Sequence, residues 1–257
     1  MNRHELLDSL YDLTGRVAIV TGGSRGIGRA IAEAFAALGA HVVVASRKAD
    51  VCEETAAAIR EAGGVATGCA VHMAELDSVR ALVRTTVDTY HAIDIVVNNA
   101  ANPLALPVGE WTEAAWEKSI GVNLRGPVFL VEEALPYLKE SRHASVVNVL
   151  SAAVYLRSEY RGLYAIGKSG LLAATRVMAG ELAPFGVRVN ALAPGSFDTH
   201  MMQQITEEQR IRNRDASPLK RIADVSEIVG PALLLASDAG SYMTGQVVSV
   251  DGGLTVH

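Results

Sequence analysis

Short β-branched apolar runs alternate along the chain with longer stretches whose apolar residues recur at helical spacing. The runs at 16–20, 41–45, 65–71, 93–97, 145–150, 187–192 and 246–250 predict seven strands. Between them, 26–38, 50–62, 75–90, 112–139, 162–183 and 224–236 predict helices. In the 75–90 stretch Leu76, Val79, Leu82, Val83 and Val87 fall on one helical face. Breakers sit where elements should end: Gly39, the Gly63-Gly64 pair, then Pro184 and Gly186. Gly126-Pro127 predicts a break or kink inside 112–139. Strict strand–helix alternation implies βαβ units and a parallel sheet. Continuous runs such as Val42-Val43-Val44 suit strands buried on both faces. The chain shows no internal repeat, low-complexity tract or Pro/Ser-rich linker, so one α/β domain over 1–257 is expected. The segment 196–220, rich in Gln, Glu and Arg, lies outside the alternation. A stretch of that length predicts a lid over a substrate site.

Composition narrows the function classes. Of 257 residues, 49% are hydrophobic and 20% charged, which excludes disorder. Glycine (23) outnumbers the aromatics, so small residues carry much of the packing. A net charge of −5 argues against nucleic acid as a partner. Cys52 and Cys69 cannot form a disulfide framework or a four-ligand zinc site. His4, His41, His91, His143, His200 and His257 lack metal-ligand spacing, so no metal is expected. No apolar run approaches the roughly 18 residues of a membrane span. Residues 1–12 lack the apolar core of a signal peptide, and a cytoplasmic location is expected.

Two patterns carry chemistry. Between the first strand and first helix, Thr21-Gly-Gly-Ser-Arg-Gly-Ile-Gly28 spaces its glycines as G-x-x-x-G-x-G at Gly22, Gly26 and Gly28. Gly22 permits a tight turn, Gly26 lets backbone approach a pyrophosphate, and Gly28 lets the helix pack closely. The helix start offers free N–H groups and partial positive charge to phosphates. Ser24, Arg25 and Ile27 complete this turn. A turn selective for NAD wants an acid about 20 residues on. Here that place holds Ser46-Arg47-Lys48, with no acid before Asp50. Arg47, with Arg25 beside it, would pair with a 2′-phosphate, so NADP(H) is expected over NAD(H). The second pattern is Tyr164-x-x-x-Lys168, whose i, i+4 spacing puts both side chains on one helical face. A nearby lysine cation would lower the phenol pKa and make Tyr164 a proton donor or acceptor for alcohol/carbonyl exchange. Ser151, at the end of the fifth strand, would hydrogen-bond a substrate oxygen.

Taken together these residues resemble the short-chain dehydrogenase/reductase family in its roughly 250-residue form. The resemblance runs from about Leu13 to Gly253. It rests on 21–28, Asn98-Asn99-Ala100, Asn123 in Val-Asn-Leu, Ser151, Tyr164 with Lys168, Pro194-Gly195 followed by Thr199, and Val250-Asp251-Gly252-Gly253. The Val-Ala-Ser-Arg-Lys after the second strand is similar to NADP-dependent carbonyl and retinol reductases of the dehydrogenase/reductase member 4 type. The resemblance implies a single-domain, Rossmann-type doubly wound fold. It implies Tyr164 as acid/base, and Lys168 as the group that lowers its pKa and binds the nicotinamide ribose. Ser151 would orient the substrate oxygen, and Asn123 would hold a water in a proton relay to Lys168. Asn98 and Ala100 would meet the adenosine ribose, Pro194 and Gly195 shape the turn below the nicotinamide, Phe197 contact the carboxamide, and Thr199 meet the pyrophosphate. It also implies a homotetramer, or a homodimer, through the long helices around the fifth strand, with Ala173, Ala174 and Ala179 allowing close packing.

The chain departs from the family pattern in three places. His72 stands where an Asp usually meets adenine, Ala101 replaces a glycine, and Ser151 lacks a serine neighbour before it. On the substrate side, Arg157 or Arg161 could steer an anionic substrate, or belong to a solvated loop. Met201 and Met202 could line an apolar pocket, while Trp111 and Trp116 are expected to pack between helices. The activity expected is hydride transfer between a secondary alcohol and a ketone, or an alcohol and an aldehyde. An NAD(H)-preferring dehydrogenase, an isomerase or dehydratase of the same family, and a non-catalytic nucleotide sensor remain as alternatives.

Overall fold

A computed structural model describes residues 2–255, without the side chains of His4 and Met201; His257 and the side chain of Met201 named above thus lie outside the described residues. The strands are β1 (Val17–Thr21), β2 (His41–Ser46), β3 (Val65–Ala70), β4 (Ile95–Asn98), β5 (Ser145–Val149), β6 (Arg188–Pro194) and β7 (Val247–Val250). They form one parallel sheet in the order β3-β2-β1-β4-β5-β6-β7. The main helices are α1 (Arg3–Tyr11), α2 (Gly26–Ala37), α3 (Ala49–Glu61), α4 (Leu76–Tyr90), α5 (Glu113–Ile120), α6 (Gly126–Glu140), α7 (Gly162–Leu182), α8 (His200–Gln203), α9 (Glu207–Ala216) and α10 (Val229–Ala236).

Strand periodicity divides the apolar residues between two layers. Ala18, Val20, Val42 and Val44 face Ile31, Phe35, Ala56, Ile59 and Leu235 of α2, α3 and α10. Ile19, Val43, Val96 and Val146 face Leu82, Leu130, Leu138 and Leu182 of α4, α6 and α7. The sheet is therefore covered on both faces, and all five residues of β1 and of β5 are buried. Chain order reverses between β1 and β4. That is the point where a parallel sheet opens a crevice at its carboxyl edge.

Three details differ from the sequence pattern. Residues 3–11 form a helix that the pattern does not predict, because it is short and mostly polar. A capping box of Asn2 and Glu5 starts it. Within 112–139 the irregularity falls before Pro127, in a π-turn at Gly121–Arg125 whose Gly126 N–H donates to the Gly121 carbonyl. Pro127 sits in the first turn of α6, where its missing N–H costs nothing. A side chain at Gly126 would collide with the Met73 carbonyl, 2.1 Å from an added Cβ. Finally, 196–220 is largely helical in α8 and α9; its polar composition hides the second, which opens with a capping box of Thr206 and Gln209.

Candidate active site

The phosphate end of the crevice is built on Thr21, whose hydroxyl is fully buried. It donates to the Val97 carbonyl (3.1 Å) and accepts from the Asn99 and Ala100 N–H groups (3.0 and 3.1 Å). Asn99 Nδ2 returns two bonds, to the Thr21 and Gly22 carbonyls (2.9 and 3.2 Å). β1, β4 and the glycine turn are thus one unit. Gly22 (φ +65°) and Gly26 (φ +53°) take left-handed conformations that side chains resist. A Cβ on Gly26 would lie 3.3 Å from Thr199 Cγ2, so Thr199 stands over the turn, as the family resemblance implies. α2 has no side-chain cap, which leaves the N–H groups of Gly26, Ile27 and Gly28 without one.

At the end of β2, Ser24 Oγ bonds Ser46 Oγ (2.9 Å), which contacts Cys52 Sγ (3.0 Å). Arg25, Arg47 and Lys48 are exposed around this pair, and none joins an ion pair among the described residues. A nicotinamide dinucleotide fits this cradle: left-handed glycines, an uncapped helix start and free cations on one rim. Two expected contact residues flank the crevice. The Asn98 side chain is buried, its Nδ2 donating to Asn148 Oδ1 (2.9 Å) and the Pro127 carbonyl (3.3 Å), while its Oδ1 has no partner. His72 lies beyond the end of β3, its N–H on Ser78 Oγ (2.9 Å) and its Nδ1 buried without a hydrogen-bond partner, 3.6 Å from Glu75. On the far side, Gly195 donates to the Val250 carbonyl (3.0 Å) beyond Pro194. The Phe197 ring is buried in the core, leaving its backbone to bridge Ala223.

The other end of the crevice gathers Ser151, Tyr164 and Lys168. Ser151 follows β5, where its Oγ accepts the Ala153 N–H (3.2 Å) and stands near enough to Tyr164 to favour its phenolate. Tyr164 stands in the first turn of α7. Lys168, one turn on, is buried; its Nζ donates to the Val149 carbonyl (2.5 Å) and lies 6.0 Å from the Tyr164 ring centre. Burial pushes Lys168 down to about 7, so its charge is about half present at neutral pH. Burial also raises the Tyr164 phenol above its ordinary value, against the opposing pull of the Ser151 hydrogen bond and the Arg161 cation. In the chain by itself the net shift of the phenol is upward, and Arg161 is the cation that opposes burial there.

Asn123 occupies the π-turn, a distortion frequent at functional sites. Its side chain clamps Asn102, accepting the Asn102 N–H (3.0 Å) and donating to the Asn102 carbonyl (2.9 Å). Gly167 lets α7 approach: an added Cβ would lie 2.8 Å from Asn123 Cβ. Asn99, Thr21 and Asn102 were not predicted as site residues. The adjacent Asn98-Asn99 pair at a strand end was the available signal for the first.

Around the mouth, Arg157 pairs with Glu159 (3.0 Å) in solvent, while Arg161 carries no ion pair among the described residues. Met202 packs within 196–220, its Sδ 3.7 Å from Asn213 Nδ2. Trp116 is exposed on α5 rather than packed between helices, and Trp111 lies against Gly162. A cavity of about 400 Å³ lies at the opposite edge of the sheet, lined by Asp12, Arg16, Asp94, His143 and Asp238. Its charges answer one another, Arg16 and His143 both pairing with Asp238 (2.7 and 3.1 Å). A smaller one, about 230 Å³, opens at the carboxyl edge between 196–223 and the terminal turn. No group of three or more His, Cys, Asp or Glu among the described residues could hold a metal. No described helix is long and apolar enough to cross a membrane.

Comparison with known proteins agrees with this geometry. Residues 22–255 match a family model described as enoyl-(acyl carrier protein) reductase. The chain is 38% identical to the short chain dehydrogenase/reductase astE of Aspergillus oryzae, covering 96% of this chain and 97% of that one. It is 34% identical to human dehydrogenase/reductase SDR family member 4 (94% and 88% covered). A short-chain type dehydrogenase/reductase from Mycobacterium marinum superposes with a TM-score of 0.93 at 29% identity (98% and 100% covered). A protein from Beutenbergia cavernae, described as an NAD(P)-dependent gluconate 5-dehydrogenase and solved with NADP at low occupancy, gives 0.90 at 34% identity (95% and 98% covered). Members of this group act on CH–OH and C=O groups with NAD(P). The chain belongs to the short-chain dehydrogenase/reductase family.

Proposed function

We propose that this protein is an NADP(H)-dependent oxidoreductase that interconverts a secondary alcohol and a ketone, or an alcohol and an aldehyde. The observation that carries the reading is Tyr164 beside Ser151, close enough for the serine to pull the phenol pKa down against burial, with the buried Lys168 one helical turn behind it, at the carboxyl edge of a sheet whose other rim bears exposed Arg25, Arg47 and Lys48. When bound, the nucleotide supplies or accepts the hydride. Gly22, Gly26, Ile27 and Gly28 would hold its pyrophosphate, with Thr199 over them. Ser24, Ser46, Arg25 and Arg47 would hold the 2′-phosphate, and Pro194, Gly195 and the Phe197 backbone the nicotinamide side.

In the reducing direction Ser151 and Tyr164 hold the substrate oxygen, and the Tyr164 hydroxyl gives it the proton. A phenol whose pKa lies above its ordinary value is fully protonated at neutral pH, which suits it as donor. Lys168, poised near 7, sits where it can return a proton along the same helical face. Asn123, in the π-turn against α7, would hold the water at the far end of a relay to Lys168. The segment 196–220 serves as the lid of the one catalytic domain; it is anchored where Ser217 Oγ and the Leu219 N–H both meet the Gly252 carbonyl (2.9 and 3.2 Å). Assembly into a homotetramer or homodimer through α6 and α7 is supported by exposed Phe129, Ile166 and Val177 and by exposed Ala173; Ala179 instead turns into the core. We place the protein in the cytoplasm.

Loss of NADPH absorbance with a panel of ketones, aldehydes and β-keto thioesters tests the reading. Turnover with NADPH preferred over NADH is the expected result. Product without absorbance change would replace it with an isomerase, and tight NADPH binding with no turnover on any compound would replace it with a sensor.

A further inference from the structure

α7 carries Tyr164 in its first turn, and that turn lacks the usual support. Its N-cap is Arg161, which makes no side-chain capping bond, and Gly162 is the first helical residue. A missing cap and an N-terminal glycine both favour fraying. The residue before the cap, Tyr160, is held at φ +62°, a left-handed conformation that bulky side chains resist, with its side chain mostly in solvent. Such a geometry persists only when its surroundings impose it.

The loop 101–112 does so. The Leu106 N–H donates to the Tyr160 carbonyl (2.7 Å), and Leu106 forms an isolated parallel bridge with Arg161. Five residues on, Trp111 Nε1 donates back to the Leu106 carbonyl (3.1 Å). The indole is seated on Gly162 so closely that an added Cβ would lie 2.4 Å from Cζ2 and 3.0 Å from Cη2. Next to it, Thr112 caps α5 through the Ala115 N–H (3.1 Å), and Asn123 pins the near end of the loop at Asn102. The loop is therefore tied at both ends, and its one aromatic closes over the start of the helix that bears the candidate acid.

We propose that Trp111 is a positioning residue: its indole, seated on Gly162 and tied to the Leu106 carbonyl, holds the uncapped first turn of α7 and so sets where Tyr164 stands against Ser151. Glycine at 162 is then a seat for the indole, not a flexible joint. The loop 101–112 and the proton donor become one mechanical unit. The inference rests on Tyr164 as the acid.

Amide hydrogen exchange tests the clamp without a substrate. The Ala165 N–H, bonded to the Arg161 carbonyl (2.9 Å), closes the first turn. Trp111→Ala should speed its exchange while leaving amides in the middle of α7 unchanged. With NADPH and the best ketone of the panel, kcat should fall by about 10- to 100-fold, the scale of a small misplacement of a reacting group, and its pH profile should shift. Trp111→Phe, which loses both the donor and the Cζ2 and Cη2 atoms that meet Gly162, should fall most of the way to Trp111→Ala. Gly162→Ala is the sharper variant: alanine is the better helix former, yet its methyl displaces the indole, so kcat should fall as in Trp111→Ala. The double variant should be no worse than Trp111→Ala alone, because the methyl then occupies space the indole has left. Unchanged Ala165 exchange in Trp111→Ala, or a lower melting temperature with an unaltered pH profile, overturns the clamp. Retained activity in Tyr164→Phe would instead overturn the acid on which it rests, whatever Trp111 does.

Discussion

At the β1–α2 turn the crevice wall is backbone; at the Tyr164 end it is side chains and loops. The phosphate wall hangs on one buried hydroxyl, Thr21, and one amide, Asn99, which together fix five backbone groups of β1 and the segment after β4. Left-handed glycines leave the turn little alternative. Around Tyr164 the pieces are 101–112, 155–161 and 196–220. They are held by a few contacts, such as Asn123 on Asn102 and Ser217 on Gly252, and expose Val108, Tyr160 and Leu219. Few sequences can build the first wall, whereas many can build the second. That is why the cofactor end identifies the family while the carbonyl substrate remains open to loop variation.

Removing the proton donor should separate the two walls most strongly. Tyr164→Phe should lower kcat by about 10²- to 10⁴-fold, the usual weight of a positioned acid, and leave NADPH affinity by fluorescence titration unchanged. Near-normal turnover would sink the assignment.

Lys168→Met should also abolish most turnover, and its stability should betray why. With a native pKa of about 7 against an ordinary 10.5, the unfolded chain holds a proton between those values that the folded chain lacks. Native stability therefore gains with rising pH from 7 to 10.5, and is lowest below 7, where the ammonium must be buried. Urea titrations at pH 7 and 9 should show that gain in the native protein and its absence in Lys168→Met. An equal pH response in both would show that the lysine is not the titrating group.

Next in size is the rim of the phosphate wall. Arg47→Ala should raise KM for NADPH by about 10-fold or more, the worth of a charge-assisted contact, and leave NADH unmoved. Equal weakening of both nucleotides would place Arg47 outside the discrimination. The smallest effect belongs to the lid anchor. Ser217→Ala removes one neutral hydrogen bond, so kcat/KM for the ketone should change by about fivefold with no change in NADPH binding. An effect on NADPH binding instead would mean that the two walls are not independent.

The strands were readable because β-branched runs buried on both faces leave an unambiguous signal, and the glycine turn because its conformations exclude other residues. Helix α1 was not, since its capping box is a local polar device without an apolar stripe. The π-turn was not either. Gly126-Pro127 marks only where the irregularity ends, and the close approach of Met73, remote in sequence, to Gly126 is a tertiary contact that the pattern does not show. Asn98 looked like a ligand contact because its motif is; only the fold shows its side chain turned inward onto Asn148. Tyr164 and Lys168 could be paired from an i, i+4 spacing, but the sign of the phenol shift could not, because it depends on how deeply both groups are buried.

By itself, then, the sequence determined the alternation of elements, the parallel sheet and the phosphate turn, and singled out the candidate reacting side chains, all of them consequences of local geometry and spacing. The tertiary structure alone decided which side chains face the crevice, the direction in which burial drives the phenol and the ammonium, and the meeting of Trp111 with Gly162 across 50 residues of chain. Those are contacts between distant segments, and no periodicity within either segment encodes them.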